Sequence, residues 1–227
     1  MGESGGDQLR EIGYFRVTHR GLDDYEKFCH IDRNSIGNGA TVVDVGSGWN
    51  QELSRDLEEM GKGIKTVSLD ASLAIPPEGL DGVKYQTNIS GEVGDVTEEM
   101  ARERLLAKQD GSVAAIMPDI PLKSDSADLV VDCFGPGTYL DDEGVVKYVG
   151  EVVRVLKDGG SARVYPIDSY DDFCEGESSE RAIISGQRRL ALLNSDEGGA
   201  KFEYFLQEDS DGVQRVGLVV EKGPNKI

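Results

Sequence analysis

A glycine turn that directly follows a β-branched apolar run limits the folds open to this chain. The run and the turn are TVVDVGSGWN, at residues 41–50. The valines suit a strand that is buried on both faces, and the two glycines allow a tight turn and the close approach of a ligand. Turns of this kind hold nucleotide-like ligands in the G-x-G-x-x-G motif, but the place of its third glycine is taken by Gln51. The segment therefore predicts a strand, a binding turn and a helix start, without naming the ligand.

A second buried strand follows the turn after one short helix. Three apolar residues at helical spacing predict the helix, with Asn50 as its cap and Gly61 as its left-handed C-terminal residue. The three are Leu53, Leu57 and Met60. The strand is predicted from IKTVSLDAS at 64–72 and ends at Asp70, close to the spacing from Gly46 at which dinucleotide-binding folds place a ribose-binding acid. Strand, helix and strand in this order predict a right-handed parallel unit.

The rest of the chain continues the alternation of strands and helices. Further strands are predicted at 112–117, 127–134 and 161–167, and further helices at 96–109, 141–157 and 179–194. The segments KFEYFLQ at 201–207 and VQRVGLVVE at 213–221 are separated by a turn and predict an antiparallel hairpin. The expected fold is α/β, with a mostly parallel seven-stranded sheet, helices on both faces and the antiparallel hairpin at the C-terminal end.

The length of 227 residues suits one domain with an extension. We assign residues 39–222 to the α/β domain, 1–38 to an N-terminal extension and 223–227 to a polar tail. Residues 73–96 combine prolines and glycines with little periodicity and are longer than most connections in a compact domain. We expect 1–38 and 73–96 to cover the carboxyl ends of the strands, where open parallel sheets bind their ligands.

Charge and composition exclude several classes of partner. The chain has 24 Lys and Arg against 43 Asp and Glu, and its net charge of −19 repels nucleic acid and anionic membranes. The three cysteines are widely spaced and stand beside no C-x-x-C pair or clustered histidine, so neither disulfides nor a metal site is predicted. No signal segment is evident, and no apolar run approaches the roughly 18 residues of a membrane span. We expect a cytoplasmic protein.

Several segments, in order along the chain, resemble motifs of the class I S-adenosylmethionine-dependent methyltransferases. VVDVGSGWN resembles the first motif of that family, and VSLDAS resembles the second. SDSADLVVDCF and EVVRVLKDGGSARVYPI resemble its fourth- and fifth-strand region, in which RVLKDGG is the most specific piece. The resemblance covers residues 40–167 and implies a Rossmann-like fold, methyl transfer and S-adenosylmethionine as the cofactor.

The resemblance also implies which residues contact the cofactor. They are Asp44, Gly46, Ser47, Gly48, Asp70, Ala71, Ile116, Met117 and Cys133. Asp44 would face the ammonium of the amino acid end, and Asp70 would accept hydrogen bonds from both ribose hydroxyls, as an ionised carboxylate can. The alternatives are that Asp44 organises the turn and that Asp70 caps the next loop. Ile116 and Met117 stand where the family often has an adenine-binding acid, so they would contact the ring through apolar surface.

The predicted reaction needs few catalytic residues. A sulfonium methyl group is already electrophilic, so transfer needs an acceptor held in line within about 3 to 3.5 Å, and a base only where the acceptor must lose a proton. His19 and His30 are candidate bases, because both lie in the N-terminal region that often covers the substrate in small-molecule members of the family. The alternative for each histidine is that it is an ordinary surface or core residue with no catalytic role.

The acceptor is predicted to be a small soluble molecule methylated at oxygen, nitrogen or sulfur. The chain has little beyond the core with which to recognise a polymer, and its charge disfavours anionic ones. Two alternatives stay open: a methyltransferase that acts on a basic peptide, and a non-catalytic relative that binds the cofactor or a protein partner. A short-chain nicotinamide reductase is not supported, because no tyrosine is followed by a lysine four residues later.

Overall fold

The computed structural model describes most of the predicted domain. The described residues are 20–48, 51–70, 111–115, 117–168, 179–193, 199–209 and 212–224, with the backbone of 14–17, 84–87 and 93–95. The strands are β1 Tyr14–Val17, β2 Thr41–Val45, β3 Lys65–Leu69, β4 Lys84–Thr87, β5 Val93–Asp95, β6 Ser112–Val113, β7 Ala127–Cys133, β8 Leu156–Tyr165, β9 Ala200–Glu208 and β10 Gln214–Lys222. The helices are α1 Leu22–Cys29, α2 Glu52–Glu59, α3 Pro136–Tyr139, α4 Asp142–Val155 and α5 Ser179–Leu193.

The main sheet has seven strands in the spatial order β6, β3, β2, β7, β8, β10 and β9. Its first five strands run parallel, and β10 is antiparallel to both β8 and β9. The predicted α/β sheet with a C-terminal antiparallel hairpin is therefore confirmed. Because β3 and β7 lie on opposite sides of β2, the strand order reverses there and leaves a crevice at the carboxyl ends of β2 and β7.

Helices cover both faces of this sheet, as predicted. Alternate residues of a strand point to opposite faces, so Val42 and Val43 of β2 enter different clusters. On one face Val42 joins buried side chains of α1 and α2, among them Tyr25, Phe28, Leu53 and Leu57. On the other face Val43 joins buried side chains of α4 and α5, among them Tyr148, Val149, Val152 and Leu193. The two clusters fix the height and tilt of β2, and with them the position of the turn that follows it.

The main elements predicted from periodicity are present, with local corrections. Helix α2 begins at Glu52 behind Gln51, not behind the predicted cap Asn50, and Gly61 has the expected left-handed conformation with φ 67°. The strand predicted at 112–117 extends only over Ser112–Val113. It pairs with the end of β3 at the edge of the sheet, where no second neighbour supports a longer ladder. The helix predicted at 96–109 lies outside the described residues.

Two features of the N-terminal part were not predicted. Helix α1 buries Leu22, Tyr25, Phe28 and Cys29 against the sheet, so part of the segment 1–38 is a layer of the domain. Strand β1 pairs with β4 in parallel, and β4 pairs with β5 in antiparallel orientation, which joins 1–38 to the 73–96 stretch in a small separate sheet. The covering role of the two segments stays a prediction. Within the described part of the chain, no helix has both the length and the apolar character needed to cross a membrane.

Two helical glycines of different surroundings test the packing of α5 on the sheet. A Cβ on Gly186 of α5 would lie 2.5 Å from Val216 Cβ, whereas a Cβ on Gly150 of α4 would meet nothing within 4 Å. We expect Gly186→Ala to lower the free energy of unfolding by about 1 to 3 kcal/mol through overpacking. Gly150→Ala should raise it by about 0.5 to 1 kcal/mol, because alanine is the better helix former. Urea unfolding of both variants measures this, and equal effects would contradict the close packing at Gly186.

Candidate functional site

The turn after β2 is closed by the end of the neighbouring strand β3. The N–H groups of Gly46 and Ser47 donate to the Leu69 carbonyl at 2.8 and 3.3 Å, and the N–H of Gly48 donates to Oδ2 of Asp70 at 2.9 Å. Gly46 and Gly48 have φ of 70° and 68°, in the region that favours glycine. These three N–H groups are bonded within the chain, so the turn does not present them to a phosphate as a dinucleotide motif does.

The space beside Gly46 is filled by the loop that follows β7. A Cβ added to Gly46 would lie 2.8 Å from Gly135 Cα and 3.2 Å from Pro136 Cδ. Contact with the loop after β7 is therefore enough to require glycine at position 46, whether or not a ligand also lies there. The contact draws the ends of β2 and β7 together and sets the floor of the crevice between them.

Asp44 is a buried acid at the carboxyl end of β2 with half of its carboxylate unpaired. Its side chain is 1% exposed, and Oδ1 accepts a hydrogen bond of 2.6 Å from the Tyr25 hydroxyl of α1. Oδ2 is buried and has no hydrogen-bond partner. Burial raises the pKa of Asp44 to about 7, against the opposing effects of the Tyr25 hydrogen bond and the positive charge of Arg20. Asp44 thus has one oxygen that a hydrogen bond positions and one that lacks a donor.

Gln51 occupies the place of the missing third glycine and links the turn to the edge of the sheet. Its backbone is left-handed, with φ 51°, and its side chain is 1% exposed. Oε1 accepts a hydrogen bond of 2.9 Å from the Ser112 hydroxyl of β6, while Nε2 is buried without a partner. A side-chain amide donor therefore stands where the usual motif has only a hydrogen atom.

A second buried acid shapes the loop after β7. Asp132 accepts hydrogen bonds from the N–H groups of Gly135 and Gly137 at 2.8 and 3.1 Å, and from the Tyr148 hydroxyl at 2.9 Å. Burial raises the pKa of Asp132 to about 6, although these donors oppose the rise. From the other side, the buried guanidinium of Arg189 donates to the Gly137 carbonyl at 3.1 Å. Asp132 thus binds N–H groups of the loop beside the crevice, and Arg189 binds one of its carbonyl groups.

The described residues bring together only part of the predicted set. Asp44, Gly46, Ser47, Gly48 and Asp70 lie together at the ends of β2 and β3. Met117 is half-buried against the α4 and α5 cluster, and Cys133 is fully buried in the α1 and α2 cluster. Ala71, Ile116 and His19 lie outside the described residues. Cofactor contact by each of the nine predicted residues stays a prediction.

His30, one of the two candidate bases, follows α1 and packs against side chains of β9. Its ring stacks on Phe205 of β9 with the centroids 4.3 Å apart, and its Nε2 is 2.8 Å from Gln207 Oε1. The Phe205 ring in turn lies 6.1 Å from the ring of Tyr165 at the carboxyl end of β8. The role of His30 as a base stays a prediction.

Sequence reasoning missed Tyr25, Arg20 and the role of Asp132. The spacing of Leu22, Tyr25 and Phe28 by three residues is a helical signal that could have placed Tyr25 on an apolar face. No sequence signal indicated that the Tyr25 hydroxyl bonds to Asp44, because this contact depends on how α1 packs against β2. In the described ranges, no group of three or more His, Cys, Asp or Glu is arranged to hold a metal ion.

A cavity of about 580 Å³ lies at the opposite end of the sheet. It is lined by residues that include Gly159 and Gly160 of β8 and Gly199 before β9. Parallel sheets bind ligands outside the carboxyl ends of their strands, whereas this cavity lies at the amino end of β8. The site is therefore assigned to the crevice at Asp44 and the glycine turn.

Comparison with solved structures identifies the fold. A protein of Methanococcus maripaludis assigned as an S-adenosyl-L-methionine-dependent methyltransferase is 18% identical, with a TM-score of 0.52 and coverage of 86% of this chain and 83% of its own. An Aquifex aeolicus S-adenosylmethionine-dependent methyltransferase is 16% identical, with a TM-score of 0.48 and coverage of 95% and 97%. The 1,6-didemethyltoxoflavin-N1-methyltransferase of Burkholderia thailandensis, solved with its substrate and S-adenosylhomocysteine, is 13% identical, with a TM-score of 0.48 and coverage of 82% and 72%. No protein-family model and no curated protein matches the sequence.

The chain has the fold of the class I S-adenosylmethionine-dependent methyltransferases. The match to the Methanococcus protein carries this assignment, and at 18% identity it concerns the fold alone. The sequence resemblance in residues 40–167 and the observed fold agree in class.

The raised pKa of Asp44 predicts a specific pH dependence of stability. An unfolded aspartate titrates near 3.9, and the folded value is about 7, so the folded state binds the proton more tightly between these values. Raising the pH through this window therefore destabilises the protein, by on the order of 4 kcal/mol for a shift of this size. We expect Asp44→Asn, which keeps an acceptor for Tyr25 and removes the charge, to lose less stability between pH 4 and 8 than the wild type.

Urea unfolding of Asp44→Asn at several pH values measures this difference. Glu203→Gln serves as the control, because it removes a half-exposed carboxylate on the edge strand β9. The control should follow the wild-type pH profile. A profile of Asp44→Asn that runs parallel to the wild type would contradict the uncompensated charge at Asp44.

Proposed function

We propose that the protein is an S-adenosylmethionine-dependent methyltransferase that methylates a small soluble molecule at oxygen, nitrogen or sulfur. The observation that carries the proposal is the cluster at the carboxyl ends of β2 and β3. There the buried Asp44 keeps one unpaired oxygen, and the Gly48 N–H fixes the carboxylate of Asp70 beside a glycine turn. The fold class and the motif order of the sequence support the same activity.

The residues of the turn fit the chemistry of this cofactor better than that of a dinucleotide. A dinucleotide needs backbone N–H groups for its pyrophosphate, and those of Gly46, Ser47 and Gly48 already have acceptors within the chain. S-adenosylmethionine has no phosphate, but it carries an ammonium and a ribose. The unpaired Oδ2 of Asp44 suits the ammonium, and Asp70 can accept from ribose hydroxyls while it holds Gly48, because a carboxylate has about four acceptor positions.

Catalysis in this proposal comes from positioning. The bound cofactor supplies an electrophilic methyl group, and the chain orients it against the acceptor. Asp132 and Arg189 hold the loop after β7 rigid beside the crevice, so the acceptor meets a fixed wall. A base is required only if the acceptor must lose a proton, and His19 and His30 remain the candidates for that role.

Two alternatives make different predictions. A methyltransferase for a basic peptide is favoured by the net charge of −19, and a non-catalytic relative by the lack of an acid in the Ile116–Met117 stretch. Radiolabelled methyl transfer in a cell extract separates them: the proposal predicts label in the small-molecule fraction. Label in the protein fraction would contradict the small acceptor, and no transfer together with tight cofactor binding would favour the non-catalytic protein. The cytoplasmic location and the lack of nucleic-acid binding stay predictions.

Asp70 tests the cofactor site directly. We expect Asp70→Ala to weaken the binding of S-adenosylmethionine by about 1 to 3 kcal/mol, because the ribose hydroxyls lose a charged acceptor. Asp70→Asn keeps one acceptor oxygen, so its loss should be smaller. Isothermal titration of both variants with S-adenosylmethionine and S-adenosylhomocysteine gives the values.

A charge-matched variant far from the site controls this titration. Glu203→Ala removes one carboxylate on β9, five strand spacings from β3, and should bind as the wild type does. Wild-type affinity in Asp70→Ala would leave Asp70 with only the structural role of capping the turn.

A further inference from the structure

Strand β9 forms one edge of the seven-stranded sheet, and the side that faces away from β10 is its outer edge. Among the described residues no strand pairs with this outer edge. Its N–H and C=O groups therefore lie in a row that another strand could pair with. Proteins commonly protect such an edge with a proline, a bulge or charged side chains. Strand β9 contains no proline, and its unbroken register with β10 over nine residues excludes a bulge.

Apolar side chains follow the outer edge of β9 on the face that α5 covers. Phe202 packs against the α4 and α5 cluster, and Tyr204 and Leu206 follow at alternate positions of the same face. Tyr204 is 49% exposed and Leu206 is 43% exposed. Helix α5 leaves both open because it lies over β10, where Gly186 meets Val216. An apolar strip thus lies uncovered beside an unpaired strand edge.

The charges of β9 do not protect this edge against pairing. Lys201 and Glu203 lie on the opposite face and pair with each other, with Nζ and Oε1 2.5 Å apart. The strand has one lysine against two glutamates, whereas the whole chain has a net charge of −19. A chain of that charge repels a second copy over most of its surface. That repulsion is weak along β9.

The apolar pattern of β9 is complementary to itself in antiparallel orientation. When two copies pair about a two-fold axis at Tyr204, all nine residues of each strand find a partner. Tyr204 then lies opposite its own copy, and Phe202 lies opposite Leu206 of the second chain. Cross-strand aromatic and apolar pairs of this kind stabilise antiparallel sheets. The two exposed apolar side chains are thereby covered by the same residues of the other copy.

The charged residues favour this register over its neighbours. Each of them meets an uncharged residue of the second chain: Lys201 lies opposite Gln207, Glu203 opposite Phe205, and Glu208 opposite Ala200. A two-fold axis at Glu203 would place two glutamates opposite each other, which is destabilising. An axis at Phe202 would pair only residues 200–204 and leave Leu206 uncovered.

We propose that the outer edge of β9 binds a second copy of this chain, by antiparallel pairing about a two-fold axis at Tyr204. The two seven-stranded sheets then join into one. Helix α5 and its copy lie over the two β10 strands, three inter-strand spacings or about 14 Å apart. Packed helices are only about 8 to 10 Å apart, so the side chains of Tyr204 and Leu206 fill the gap between them.

The size of the contact sets the expected strength of the dimer. Nine residues of a strand span about 31 Å, and the contact is one strand wide. It is therefore smaller than the roughly 1,200 Å² at which stable interfaces begin. We expect a dissociation constant in the micromolar range and a dimer that depends on the protein concentration.

Sedimentation velocity over a range of concentrations tests the dimer. The wild type should change from monomer to dimer between about 1 and about 200 µM, in line with a micromolar dissociation constant. Tyr204→Lys places two ammonium groups opposite each other on the axis and should stay monomeric throughout. Ile184→Lys is the matched control, because it alters a side chain of α5 that is 59% exposed, and it should dimerise as the wild type does.

Cysteine variants test the register. Opposite residues of antiparallel strands have Cα atoms about 4.5 to 5.5 Å apart, within the range of a disulfide. Tyr204→Cys should therefore form a covalent dimer with oxidised glutathione. Leu206→Cys, on the same face and of similar exposure, lies four residues or about 13 Å along the strand from its own copy and should not. The wild type, with its three cysteines, gives the background.

Several outcomes would overturn the proposal. These are a wild type that is monomeric at every concentration, a dimer that persists in Tyr204→Lys, and a covalent dimer of Leu206→Cys without one of Tyr204→Cys. Urea unfolding checks that Tyr204→Lys is folded. If it is not, Leu206→Lys carries the same test, because it removes the apolar partner of Phe202. No ligand enters these measurements, so their result is independent of the proposed function.

Discussion

The site depends on the close contact between two glycines at the ends of adjacent strands. A Cβ on Gly46 would lie 2.8 Å from Gly135 Cα, and a Cβ on Gly135 would lie 2.9 Å from the Val45 carbonyl oxygen and collide with Asp132. With both side chains absent, the turn after β2 and the loop after β7 meet. Backbone atoms of both segments therefore meet at the strand reversal, beside the acids of β2 and β3. A larger residue at either position would separate the two halves of the sheet at the proposed binding site.

Near this contact the protein buries two carboxylic acids, which is electrostatically unfavourable for their ionised forms. Asp44 and Asp132 are buried acids with pKa values raised to about 7 and 6, yet they differ in their partners. Three donors surround Asp132, which holds a loop, whereas one oxygen of Asp44 is unpaired. Buried polar groups are rarely left unsatisfied in proteins, and each exception calls for a physical explanation, of which a functional role is one. The unpaired atoms of Arg20 and Gln51 lie in the same region and fit that interpretation.

The fold was largely predictable because its signals are local. The valines of β2 form one continuous apolar run, the apolar stripe of α4 follows the helical period over its whole length, and the hairpin is marked by a turn between two apolar runs. Helix α1 was missed because it is short and acidic and begins behind Gly21, which gives no capping side chain. The motif placed Asp44, Gly48 and Asp70 together correctly. The hydrogen bond between Tyr25 and Asp44 was not predictable, since it depends on the docking of α1 against the sheet.

The central claim is that the glycine turn and its neighbouring acids bind the methyl donor, and amide NMR tests it most directly. Titration with S-adenosylhomocysteine should shift the amide signals of Gly46, Gly48 and Asp70, which lie in the crevice. The signals of Gly159 and Gly199, which line the cavity at the opposite end of the sheet, should stay in place. Shifts confined to Gly159 and Gly199, or no shift at saturating ligand, would contradict the account.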